Sequence, residues 1–295
     1  MKVRIGIGSG GEGLDPGGLE GLCRAMATQG FDSIWISELL SRPGLDPMVA
    51  LAWLSGRMPE LKIGATFLVP GRNLLRLARQ LAALDYLSGG RLLLAAVPGL
   101  PRGGERNAVG VDPKGRGRMI EEALPILRSL LSGDPTDVPG PVGVTEGVVL
   151  DPRPVQQPLE IWLGGSLPSA LDRCGRVGDG WLPAMISPAD CAVGRERINA
   201  VAAEHGRRID PEHFGVSIGY SLDVLPDAVV AALEARSPAS RLSSVVPVGS
   251  RAIRELLEAY LEVGFSKFVL RPLVAPMSWD AELDALASSV GDLQT

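Results

Sequence analysis

Short aliphatic runs alternate along this chain with longer stretches in which apolar residues recur every three or four positions. The short runs predict strands at 3–8, 33–36, 61–68, 92–97, 160–163, 180–182, 214–220 and 267–270. The longer stretches predict helices at 16–29, 47–56, 74–87, 116–131, 169–177, 188–205, 227–235, 252–263 and 279–290. Glycine follows several of these helices, where a left-handed residue closes the last turn: Gly30, Gly89 with Gly90, and Gly264.

Eight strands, each followed by a helical segment, predict a (β/α)8 barrel occupying residues 1–295 as one domain. An open doubly wound sheet would carry G-x-G-x-x-G after an early strand. Gly6, Gly8, Gly10 and Gly11 do not have that spacing, and no acidic residue stands where a ribose partner is expected. Segment 133–158 breaks the alternation with a high content of Pro, Gly and Val. It reads as an insertion between the fourth and fifth units, an irregular hairpin with strands at 142–144 and 147–150.

Composition narrows the function classes. With 45% hydrophobic and 21% charged residues in 295, the chain can bury a large core. A net charge of −5 argues against a nucleic-acid surface, which needs clustered Lys and Arg. No apolar stretch is long enough to span a bilayer, and the glycine-broken start does not read as a signal peptide. Three cysteines, Cys23, Cys174 and Cys191, lack CxxC spacing, which reads as a reduced, cytoplasmic protein.

In a barrel the reactive groups sit past the C-terminal ends of the strands. The shortlist is therefore Ser9 with Gly10, Ser37 with Glu38, Thr66 with Phe67, and Pro98 with Gly99. The later strands add Gly164, Gly165 and Ser166, then Pro183, Tyr220 with Ser221, and Arg271. The two histidines, His205 and His213, both fall elsewhere, so neither a hydrolytic triad nor a zinc site is expected. Gly164 and Gly165 end an apolar run just before a helix start. Paired glycines permit close approach, and a helix start offers N–H groups to an anion; a plain strand-to-helix turn is the other reading.

Four stretches carry a resemblance: GFDSIWISE at 30–38, ARQLAALDYLSGGRLLLAAVPG at 78–99, PRPVQQPLEIWLGG at 152–165 and CGRVGDGWLP at 174–183. Together with GSRAIRELLEAYLEVGFSKFVLRPL at 249–273, they resemble the bacterial luciferase-like family of flavin- and deazaflavin-dependent oxidoreductases. The resemblance implies a (β/α)8 barrel, usually dimeric, that binds coenzyme F420 or FMN at its C-terminal face. It implies that Gly164, Gly165 and Ser166 approach the cofactor phosphate. It also implies a non-proline cis peptide at Thr66–Phe67, against the ring, with Ser9, Glu38, Pro98 and Gly99 around it.

The sequence departs from the sugar-phosphate and alcohol dehydrogenases of that family. Leu39 follows Glu38 where they carry His, and Leu100 stands where they carry Glu. Alcohol oxidation needs a base for the hydroxyl proton, so hydride transfer to a conjugated or imine substrate fits better. FMN-dependent monooxygenation and a decayed, cofactor-holding barrel are the alternatives. Glu38 is the candidate proton donor, with a salt bridge to a neighbouring Arg as its other reading. Tyr220 and Arg271 are candidate contacts for a small, apolar or conjugated substrate or an anion. Arg72 faces the cofactor's acidic tail or caps a helix, while Trp181 and Asp179 read as packing and turn residues.

Overall fold

The computed structural model describes residues 1–9, 14–100, 103–235 and 242–295. Its first half runs β1 (Arg4–Ser9), α1 (Pro16–Thr28), β2 (Ser33–Ser37), α2 (Pro47–Ser55), β3 (Lys62–Leu68), α3 (Leu74–Ser88), β4 (Leu92–Val97), α4 (Gly103–Ala108) and α5 (Arg116–Ser132). The second half runs β5 (Thr136–Gly140), β6 (Gly143–Val148), β7 (Trp162–Leu163), α6 (Pro168–Val177), α7 (Pro188–Glu204), β8 (Gly215–Tyr220), α8 (Asp227–Glu234), α9 (Ser250–Glu262), β9 (Lys267–Pro272) and α10 (Trp279–Val290).

Helix starts follow local chemistry. Asp15 and Asp46 each cap a helix whose first residue is proline, accepting from Gly18 N at 2.7 Å and Val49 N at 3.0 Å. Helix ends use the expected glycines: Gly30, Gly89 and Gly264 all have positive φ, at 77°, 67° and 83°.

Seven strands form one parallel sheet in the order β7-β4-β3-β2-β1-β9-β8. The sheet curls until its edges meet across one residue, Trp181, which bridges Leu163 on one side and Phe214 on the other. Main-chain bonds of 2.9 Å carry the ladder through the join, from Leu163 N to Gly180 O and from Gly215 N to Trp181 O. The strand expected at 180–182 is thus reduced to a one-residue rung.

Alternation along the strands divides the side chains between two cores. Outward residues such as Ile5, Ile7, Ile34, Ile36, Ile63 and Phe67 pack under the helices. Inward, Trp35, Ala95, Leu182 and Val269 fill the sheet's concave side with Leu93 and Trp162. Glycine makes room there: a Cβ on Gly64 would lie 2.3 Å from the Trp35 ring.

The segment between α5 and β7 holds an antiparallel hairpin, β5–β6, but with strands at Thr136–Gly140 and Gly143–Val148. The expected strands were displaced because Gly140-Pro141-Val142-Gly143 is the turn, and Gly143 takes φ 133° there. Helix α4 was not foreseen. All three cysteines are free and buried. Among the described residues no helix is long and apolar enough to cross a membrane.

Candidate active site

Because the sheet is parallel throughout, all its strands end on one rim, and the shortlisted positions meet there. Contacts run from strand to strand around it. Glu38 N donates to Thr66 O at 2.8 Å, and a Cβ on Gly99 would lie 3.1 Å from Leu68. Gly164 N donates to Ala96 O at 3.2 Å, and Ser217 N donates to Pro183 O at 2.8 Å. Arg271 Nε donates to Ser217 Oγ at 3.0 Å, and the Arg271 side chain lies across Gly8 so closely that a Cβ there would stand 2.4 Å from its Cγ. Ser9, buried at the end of β1, and Thr66, half-buried and facing inward, belong to the same rim. Gly10 lies outside the described residues.

The turn after β7 requires glycine at both of its positions. Gly165 has φ 97°, a conformation that favours glycine, and a Cβ there would be 3.0 Å from the Ala170 Cβ. Gly164 is packed against Val97, whose Cγ1 a Cβ would meet at 2.8 Å. Trp181 is wholly buried and its indole Nε1 donates to Gly165 O at 2.8 Å, which fixes the turn from behind. Helix α6 then starts at Pro168 with no side chain capping it. Among the described residues, the N–H groups of Gly165, Ser166, Leu167 and Ser169 have no protein acceptor. Unpaired N–H groups at the positive end of a helix favour a nearby anion over a cation.

Glu38 takes the second of its two expected roles, an ion pair with an arginine. It is 7% exposed, and one oxygen accepts from Leu68 N at 2.8 Å while the other is ion-paired to Arg72. Both oxygens are committed to holding the end of β2 to the end of β3 and the turn that follows it. The carboxylate is therefore a brace, and Arg72 is its partner.

Two further residues do not present side chains to the rim. Phe67 is wholly buried among the residues under the helices, since inward-facing Thr66 leaves it the outward side of β3. The same parity sends Tyr220 outward from β8, where it is wholly buried beside Glu282 of α10. The Thr66–Phe67 peptide is trans; among the described residues only Asp151–Pro152 and Gln157–Pro158 are cis. Regular pairing explains this, because Thr66, Phe67 and Leu68 stay in register with Ala95, Ala96 and Val97.

Asp179 orders its turn as expected. It accepts from Ile161 N at 2.9 Å and is paired with Arg128 at 2.9 Å.

Arg116 was missed. It is 1% exposed and donates only to main-chain carbonyls: Leu100 O at 3.2 Å, Arg106 O at 2.6 Å and Val111 O at 3.1 Å. It organises the segment that carries Pro98 and Gly99. A cation in the first turn of a helix opposes the dipole, which was the available signal. Nearby, Glu105 of α4 accepts from Ser41 N at 3.0 Å and Ser41 Oγ at 2.9 Å. That bond ties the loop after β2 to the loop after β4, a lip on which Leu39, Leu40 and Leu100 are exposed.

A cavity of about 190 Å³ lies at the opposite end, among the first residues of the strands. Its charges are already matched: Arg4 and Lys62 pair with Asp32 at 3.3 and 3.1 Å, and His213 faces Glu160 at 3.4 Å. In a curled parallel sheet that end serves stability.

The family model described as luciferase-like monooxygenase matches residues 2–260. The chain is 26% identical over 223 residues to a 5,10-methylenetetrahydromethanopterin reductase of Methanolobus tindarius, covering 75% of this chain and 65% of that one. It is 27% identical over 193 residues to an F420-dependent glucose-6-phosphate dehydrogenase of Kineococcus radiotolerans, covering 62% and 56%. The chain thus covers less than two thirds of the length of these curated relatives. Its fold matches that of an F420-dependent secondary alcohol dehydrogenase solved with an F420-acetone adduct, at a TM-score of 0.84 and 20% identity over the whole of both chains. With the family model spanning most of its length, the chain belongs to the luciferase-like monooxygenase family.

Proposed function

We infer that this chain is an oxidoreductase that uses coenzyme F420 to transfer a hydride with a small apolar or conjugated organic substrate. The observation that carries the reading is the glycine turn at Gly164 and Gly165, with its unpaired N–H groups ahead of an uncapped helix. The residues present fit such a cofactor. Gly165 and Ser166 hold its phosphate, with Gly164 shaping the turn behind them, while Ser9, Thr66, Pro98 and Gly99 are small enough to border its ring. When bound, the deazaflavin supplies or accepts the hydride.

This chain's own residues bind, orient and exclude water. The mouth has no histidine among its described residues, and the one shortlisted carboxylate, Glu38, is paired with Arg72. A substrate that needs a protein base for an alcohol proton is poorly served. An activated alkene or imine is well served, because water can protonate the product. The exposed leucines of the lip suit such a substrate. The working unit in this reading is a cytoplasmic homodimer of one-domain (β/α)8 barrels, with the Trp181 rung in the place of the eighth strand and 133–158 as the insertion. FMN carries the same kind of phosphate on a ribityl chain, so FMN-dependent monooxygenation is the second reading.

The test is anaerobic mixing of the protein with chemically reduced F420 and cyclohex-2-enone, followed by the return of deazaflavin absorbance. Saturable, enone-dependent reoxidation is expected. A rate no faster than the protein-free control, across a panel of conjugated ketones and imines, would contradict the hydride-transfer reading.

A further inference from the structure

Among the described residues, Arg271 is a cation without a counter-charge in the concave side of the sheet. Among them its one hydrogen bond runs from Nε to Ser217 Oγ at 3.0 Å, and no carboxylate pairs with it. It lies at the C-terminal end of β9, level with Gly8 of β1 and Gly219 of β8. Gly8 is what lets it lie there, since a Cβ would come within 2.7 Å of Nη1. Burial pushes the guanidinium down to about 10, with no neighbouring charge to oppose it. A half-buried charge left unpaired is costly, and pairing with an anion relieves the cost.

We propose that Arg271, oriented by Ser217 and seated over Gly8, binds the carboxylate of an organic-acid substrate. Nε is taken by Ser217, so the Nη1–Nη2 edge remains, and its two parallel N–H donors match the two oxygens of one carboxylate. One guanidinium also balances one negative charge, which suits a carboxylate better than a phosphate dianion. The position separates this site from the glycine turn. Around the curled sheet, β9 is reached from β7 only across the Trp181 rung and β8 on one side, or across β4, β3, β2 and β1 on the other. A cofactor phosphate at Gly165 therefore leaves Arg271 to a second molecule. That this molecule is the substrate rests on the hydride-transfer reading; that Arg271 takes a carboxylate does not.

The probes are benzoate and its uncharged analogue benzamide, titrated calorimetrically into the cofactor-free chain. Benzoate is expected to bind at least about 10-fold more tightly than benzamide, a difference of about 1.4 kcal/mol. Arg271→Met is expected to erase the difference, Arg271→Lys to restore part of it, and Ser217→Ala to weaken benzoate several-fold in a protein that keeps its fold. Affinity of Arg271→Met for F420 should stay within about 3-fold of the parent's. Equal binding of benzoate and benzamide, or no binding of either, overturns the proposal. A loss of F420 affinity in Arg271→Met with benzoate unaffected also overturns it, by giving the guanidinium to the cofactor. Failure of F420 to bind at all sinks the hydride-transfer reading and leaves the benzoate result standing.

Discussion

Gly165→Val is expected to abolish cofactor binding while leaving the protein folded. At φ 97° a valine is strained wherever the space around it, a cost of order 1–3 kcal/mol. The new Cβ would also sit 3.0 Å from the Ala170 Cβ, in the first turn of α6. The turn is exposed, so the chain can relieve this strain by rotating locally instead of unfolding. That rotation redirects the N–H groups of Gly165 and Ser166, which hold the phosphate in this account. Each hydrogen bond to a charged group contributes about 1.5–3 kcal/mol, so losing two lowers affinity by roughly 100-fold or more. Titration followed by cofactor fluorescence, with thermal unfolding as the control, measures both effects. Wild-type affinity in this variant would remove the glycine turn from the site.

Arg116→Met is expected to lower stability by about 3 kcal/mol, the second large effect. Three part-buried carbonyls, those of Leu100, Arg106 and Val111, lose their donor together. Relief from burying a cation offsets part of this, but three unmet acceptors at about 1–3 kcal/mol each outweigh it. The unfolding midpoint should fall by about 5–10 °C. Arg271→Met is the natural contrast, since Arg271 makes one bond to a hydroxyl that can turn to another acceptor. Its removal should leave the midpoint unchanged or raised. Two arginines, one buried and one half-buried, with opposite effects on stability would separate a structural cation from a ligand-binding one. A similar fall in both would mean that Arg271 is also a brace.

The parts of the fold that were legible are those set by neighbours in sequence. The aliphatic runs of β1, β3 and β4 and the glycines at 30, 89 and 264 act within one element or one turn. The glycine turn after β7 was legible for the same reason. What depended on distant partners was not. An ion pair for Glu38 was expected as one of two readings, but its partner, Arg72, lies 34 residues on and was read instead as a cofactor contact or helix cap. Arg116 gave only the weak signal of a cation in a first helical turn, because its partners are carbonyl groups, which every residue has. Phe67 and Tyr220 were misplaced by parity: a strand end is readable, but which residue faces inward depends on register with the next strand. The strand at 180–182 was overestimated because the curl of the sheet leaves room for a single rung at Trp181.

The central claim is that this mouth holds a phosphate-bearing deazaflavin. Its most direct test is equilibrium titration of the cofactor-free chain with F420 and, separately, with FMN. The account predicts saturable binding of F420 below about 10 μM, near −7 kcal/mol, and weaker binding of FMN. Tight binding of FMN alone would move the protein to the monooxygenase reading. If neither bound below about 100 μM, weaker than roughly −5.5 kcal/mol, the cofactor account itself would be contradicted.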